Sequence, residues 1–169
     1  GSCSQATRAQ VRALIEAGRP ALAVDALRAA GQDDLVAEAL SWAEQALADG
    51  PVLVYSTADP QTVQAAQQRL GVAEAGELVE HTLSRIAEGL VALGVGQLVI
   101  AGGETSGACV QALGITQLRI GAQIDPGVPW CHGLPRPALQ APRGIHIALK
   151  SGNFGTPDFF LKAFDRLSA

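Results

Sequence analysis

A chain of 169 residues with a formal charge of -4 is long enough for one domain with a substantial core and too short for two of ordinary size. Apolar residues make up 48% and charged residues 17%, which excludes a disordered polyelectrolyte, and the scattered lysines and arginines give no basic field for a nucleic-acid backbone. No run reaches the roughly eighteen apolar residues of a membrane helix and no secretory pattern opens the chain, so neither nucleic acid nor membrane is expected as a partner, and the cytoplasm is the expected location.

In chain order, Gly1 to Ser4 read as a loop feeding a short helix. Thr7 and Gln10 have capping-box spacing ahead of Val11, Leu14 and Ile15, and Gly18 and Pro20 end the segment. From Asp33 to Asp49 the apolar residues Leu35, Val36, Ala39, Leu40, Ala43 and Leu47 recur at helical steps, with Trp42 expected to pack. After Pro51, Val52 to Tyr55 is a short apolar run of the kind found in buried parallel strands. Helices are expected from Pro60 to Leu70 and from Glu77 to Leu93, the second with His81 on its solvated side.

Gln97 to Ala101 reads as a second buried strand, followed by Gly102 and Gly103 and by a helix from Ser106 to Leu113 that stops at Gly114. Leu118 to Ile120 alternate as a third strand, and Asp125 to Pro142, rich in proline and glycine, is expected to be a long irregular excursion. Ile145 to Lys150 then alternate as a half-buried strand. Thr156 has the position of a cap, with Pro157 and Asp158 in the first turn of a helix that buries Phe160, Ala163, Phe164 and Leu167. Strands alternating with helices predict an α/β fold, a largely parallel sheet flanked by helices with glycine loops at the strand carboxyl ends, in one domain over residues 1–169.

Two stretches have the composition of phosphate seats. Gly102, Gly103, Glu104, Thr105, Ser106 and Gly107 stand between a strand and a helix, where unhindered amides and the positive helix end converge. The hydroxyls of Thr105 and Ser106 can serve a phosphate or merely cap the helix. Lys150, Ser151, Gly152, Asn153, Phe154 and Gly155 repeat the arrangement, and in a parallel sheet both loops leave one edge. Neither matches GxxxxGK[ST], and Ser106 is misplaced for a GxSxG nucleophile. Cys131 and His132 are adjacent without a second pair, so no protein metal site is expected, and Cys3, Cys109 and Cys131 read as reduced thiols.

LVIAGGETSGACVQALGI, IDPGVPW and IALKSGNFGTPDFF, together with Gly1-Ser2-Cys3-Ser4, resemble the C-terminal nucleotide-binding domain of the four-carbon acid sugar kinases. Within that family the motifs are most similar to those of kinases acting on 3-oxo-tetronate. The resemblance implies ATP as phosphoryl donor and a sugar acid such as 3-oxo-tetronate, threonate or erythronate as acceptor. It implies nucleotide contacts from Ser2 and Ser4, from Gly102 to Gly107, and from Gly152 to Gly155. Lys150 and the helix ends are expected to offset phosphate charge, with Ser151 and Asn153 in the same loop, and Glu104 to orient Mg2+ or its waters.

A chain that opens on Gly1 and holds no methionine is expected to be part of a longer protein. The family's N-terminal sugar-acid domain, and with it the catalytic base, is expected to lie outside these residues. A homo-oligomer is compatible with the sequence. The rival readings are a dinucleotide-binding oxidoreductase domain, with Asp125 about twenty residues beyond the glycine turn, and a non-catalytic nucleotide-sensing module.

Overall fold

The computed structural model describes residues 1–29, 34–56 and 60–167. The elements are α1 (Gln5–Glu16), β1 (Ala21–Ala23), α2 (Ala26–Ala29), α3 (Asp34–Ala46), β2 (Leu53–Tyr55), α4 (Pro60–Leu70), α5 (Val72–Ala92), β3 (Gln97–Ala101), α6 (Gly103–Leu113), β4 (Leu118–Asp125), β5 (Val128–Gly133), β6 (Ile145–Lys150) and α7 (Phe159–Lys162). The α/β class is as expected. The helix expected from Asp33 is α3, and Asp33 itself lies outside the described residues. Among the described residues no helix is long and apolar enough to cross a membrane.

The sheet is only partly parallel. β1 pairs with β2 in parallel, Leu22 opposite Val54, as a separate two-stranded sheet. The other sheet runs in the order β3-β6-β5-β4, with β3 and β6 parallel but β5 antiparallel to both its neighbours. The antiparallel part corrects the expected irregular excursion from Asp125 to Pro142: β5 lies inside it. Pro126 and Gly127 form a two-residue turn between the paired Asp125 and Val128, and Gly127 has φ +79°, which glycine adopts without strain. Pro129 sits where the β4–β5 register shifts, the setting in which a strand tolerates proline, and Trp130 beyond it is 1% exposed. Its indole N–H donates to the Ala163 carbonyl at 2.8 Å.

Helices cover both faces of the parallel strands. On one side Val11 and Leu14 of α1 and Phe160 and Ala163 near α7 pack with Tyr55, Val99 and Ala101. On the other, Ala87 and Val91 of α5 and Cys109 and Leu113 of α6 pack with Ile100, Ile145 and Ile147. Double cover explains why β6 is not the half-buried strand its alternation suggested: Ala148 and Lys150 are as inaccessible as Ile147.

Four helix starts differ from the sequence reading, α5 beginning at Val72 rather than Glu77. Ser4, not Thr7, caps α1, its hydroxyl accepting the Thr7 N–H at 3.1 Å, which frees Thr7 and Gln10 to face inward. Helix α6 begins at Gly103, so most of the glycine motif is helical rather than loop. Helix α7 is a single turn, with Asp158 at its cap position and no capping bond.

Candidate functional site

Ala101 and Lys150 are paired at the ends of β3 and β6, so the segments that follow both strands leave the same edge. Between them lies Gly1 to Ser4. The Gly1 nitrogen donates to the Ala101 carbonyl at 2.9 Å, and the Thr105 hydroxyl donates to the Gly1 carbonyl at 3.1 Å. Gly102 makes this approach feasible: it has φ +111°, and a Cβ there would stand 1.9 Å from the Gly1 oxygen. On the other side a Cβ on Gly152 would stand 2.5 Å from the Ser2 hydroxyl. Three chain segments therefore converge on one face, which carries Ser2, Ser4, Gly103, Glu104, Gly107, Ser151, Gly152, Asn153 and Gly155 at least partly exposed.

The first two residues of α6, Gly103 and Glu104, are exposed. Gly102 offers no side-chain cap, and the first intrahelical bond of the turn is Ser106 N–H to Gly102 carbonyl at 2.9 Å. The amides of Gly103, Glu104 and Thr105 precede that bond and have no acceptor within the helix, and the helix dipole adds positive potential where they point. Thr105 is buried against Gly1, whereas the buried Ser106 hydroxyl has no hydrogen-bond partner. Glu104 is exposed in this first turn.

The second loop is held from beneath by α1. The Gly152 carbonyl accepts from the hydroxyls of Ser4 at 2.5 Å and Thr7 at 2.9 Å and from the Lys150 ammonium at 3.1 Å. Gln10 Nε2 lies 3.0 Å from the carbonyls of Phe154 and Gly155 and 3.1 Å from that of Thr156. A trans peptide points its N–H opposite to its C=O, so carbonyls drawn inward at Gly152 and Phe154 turn the amides of Asn153 and Gly155 outward. Lys150 does not project from the open face. It is fully buried, its Nζ donating to Thr7 Oγ1 at 3.0 Å, and burial lowers its pKa to about 8.

Asp125 closes the far side of this loop. One carboxylate oxygen accepts both the Thr156 N–H at 2.9 Å and its hydroxyl at 3.0 Å, and the other lies 2.6 Å from Lys162 Nζ. Burial alone would raise the Asp125 pKa, but the hydrogen bonds from Lys162 and Thr156 outweigh it and hold the carboxyl below its ordinary value. A carboxylate spent in this way has little capacity left for a ribose. Thr156 therefore serves Asp125 rather than capping α7.

The supports Thr7, Gln10 and Asp125 are the residues that sequence reasoning did not assign to the site. Ser4, Thr7 and Gln10 do carry a signal: polar residues at three-residue steps on the helix face that continues into buried Val11 and Leu14. Asp125 carries none, since its partners lie 31 and 37 residues away. All three cysteines are free, and among the described residues no three His, Cys, Asp or Glu side chains gather to hold a metal ion.

A family described as the nucleotide-binding C-terminal domain matches residues 1–160. A 3-oxo-tetronate kinase of Burkholderia multivorans is 54% identical over 167 residues, which is 99% of this chain and 37% of that protein. One of Methylobacterium radiotolerans is 51% identical over 170 residues, 99% of this chain and 38% of that protein. A solved structure of a Haemophilus influenzae protein superposes with a TM-score of 0.87 at 37% identity, covering 98% of this chain and 38% of that one. The chain spans little more than a third of the length of these curated relatives.

Proposed function

Because this chain belongs to the family of nucleotide-binding C-terminal domains, we propose that its glycine face binds the phosphates of ATP and that the full-length protein transfers one of them to a four-carbon sugar acid. The observation that carries this reading is the convergence of Gly1–Ser4, the open start of α6 and the loop after Lys150 on one sheet edge. The amides of Gly103, Glu104, Thr105, Asn153 and Gly155 are the donors, with Ser2, Ser4, Ser106 and Ser151 hydroxyls beside them. Phosphoryl transfer asks the protein mainly to position reactants and neutralise spread charge, which fixed amides and a helix end do without reorganising. Lys150 contributes from beneath, keeping the Gly152 carbonyl turned away from the phosphates.

Magnesium is commonly held by one or two carboxylates plus substrate phosphates, and the single exposed carboxylate in the first turn of α6 fits that role. Glu104 would hold the ion or its waters, and the ion would offset phosphate charge. The acceptor is 3-oxo-tetronate, by likeness to the named kinases, with threonate and erythronate as the nearest alternatives. Residues 1–169 form one nucleotide domain, with the sugar acid and the catalytic base in an upstream domain. The reaction draws on ATP, which assigns the protein to the cytoplasm. The dinucleotide alternative is disfavoured by the commitment of Asp125 to Thr156 and Lys162.

A coupled assay of ADP release tests the reading. The full-length protein with MgATP should turn over only when a four-carbon sugar acid is present, and residues 1–169 alone should not. A melting temperature raised by NAD and not by ATP would overturn it.

A further inference from the structure

Two strand edges look into one cavity of about 640 Å³ whose walls include Val52 to Tyr55 on one side and Gln97 to Ala101 on the other. On β2, the Leu53 N–H reaches the Pro20 carbonyl at 2.9 Å and the Tyr55 carbonyl accepts from Val24 at 2.7 Å. Main-chain groups alternate in direction along a strand, so those of Val52 and Val54 aim away from β1. On β3, the Gly96 carbonyl accepts from His146 and the Gly102 N–H reaches the Lys150 carbonyl, both at 2.8 Å. By the same alternation Gln97, Val99 and Ala101 aim theirs away from β6. Among the described residues β2 pairs with no strand but β1, and β3 with none but β6.

Main-chain groups that end away from water without partners are costly, so such a pair of edges calls for an occupant with a peptide backbone. One rung is already in place, the Gly1 nitrogen on the Ala101 carbonyl. Gly1 also touches the far edge: a Cβ on it would lie 3.2 Å from the hydroxyl of Ser56, the residue after β2. It therefore sits between the carboxyl ends of β2 and β3, and polypeptide reaching it through the cavity would run parallel to both. The cavity walls are apolar on both faces, Val11, Leu14 and Phe160 on one and Leu83, Ile86 and Leu90 on the other.

We propose that the residues immediately upstream of Gly1 in the full-length protein form a β-strand lying in this cavity, parallel to β2 and β3, which joins the two sheets into one. Its length matches the five residues of β3. Covered on both faces, it reads as a continuous apolar, β-branched run. The strand delivers Gly1 to Ser4 to the glycine face and ties that face mechanically to whatever precedes it, independently of which ligand the face binds.

Hydrogen–deuterium exchange on the full-length protein tests this. The residues just upstream of Gly1 should exchange at least about 100-fold more slowly than unstructured chain, together with the amides of Val54, Val99 and Ala101. The ladder assigns the N–H two residues before Gly1 to the Val99 carbonyl, so proline there should expose the Val99 and Ala101 amides, whereas proline about ten residues upstream should not. If the first proline variant fails to fold, exchange in the unmodified protein still decides. Unstructured-chain exchange rates just upstream of Gly1 would overturn the proposal. So would protection that disappears on dilution to monomer, which would assign the cavity to a strand from a second copy.

Discussion

Adjacent glycines at the start of α6 are constrained for different reasons, and exchanging each for alanine separates structure from binding. Gly102 has φ +111°, a region that costs an L-residue about 1–3 kcal/mol. Its new Cβ would lie 1.9 Å from the Gly1 oxygen and 3.0 Å from the Gly1 carbonyl carbon, obstacles of backbone that no rotamer relieves. Overpacking of this kind adds about 1–3 kcal/mol, so Gly102→Ala should lose about 2–6 kcal/mol, a large share of the roughly 5–15 kcal/mol that holds a domain folded. Gly103 has ordinary φ and nothing within 4 Å of an added Cβ, so Gly103→Ala should be neutral or stabilising by up to about 1 kcal/mol. Its methyl group would nevertheless stand among the open amides of α6, and MgATP affinity should fall about tenfold or more, equivalent to roughly 1.4 kcal/mol. Urea unfolding with an unchanged m-value and titration calorimetry on the full-length protein measure the two effects. Unchanged affinity in folded Gly103→Ala would refute the phosphate seat at α6, and an undiminished urea midpoint in Gly102→Ala would refute the docking of Gly1.

Two further substitutions probe the supports of the second loop. The Lys150 pKa of about 8 lies below the roughly 10.4 of an unfolded lysine, so between these values the unfolded chain binds the additional proton and stability rises with pH. Lys150→Met should abolish that rise, and parallel stability curves for the two proteins from about pH 7 to about pH 10 would contradict a buried ammonium. Asp125→Asn keeps an acceptor for Thr156 but leaves Lys162 with the longer pair to Asp158 at 3.4 Å in place of the one at 2.6 Å, for an expected loss of about 1–3 kcal/mol at neutral pH. Because the folded pKa of Asp125 is lowered, its contribution is present above the unfolded carboxyl pKa and is lost as pH falls through the folded one. Acid unfolding followed by circular dichroism should therefore be shallower for the variant.

What the sequence alone determined were the features carried by local pattern. Helical periodicity placed α3, α4 and most of α5, the apolar run Gln97–Ala101 placed β3, and the glycine-rich stretches after β3 and β6 marked the segments that meet at the candidate site. What it misjudged depended on partners distant in the chain. The prolines and glycines between Asp125 and Pro142 argued against a strand, yet β5 forms because β6 and β4 flank it and Trp130 finds the Ala163 carbonyl. Ser4 took the cap from Thr7 because Thr7 was needed by Gly152 and Lys150, some 145 residues away. The direction of Lys150 was likewise undecided locally, since an alternating strand places it on one face without saying whether that face is solvent or a covering helix. Only the docking of α1 beneath the loop, which buries the lysine and turns its neighbours' amides outward, settled that question.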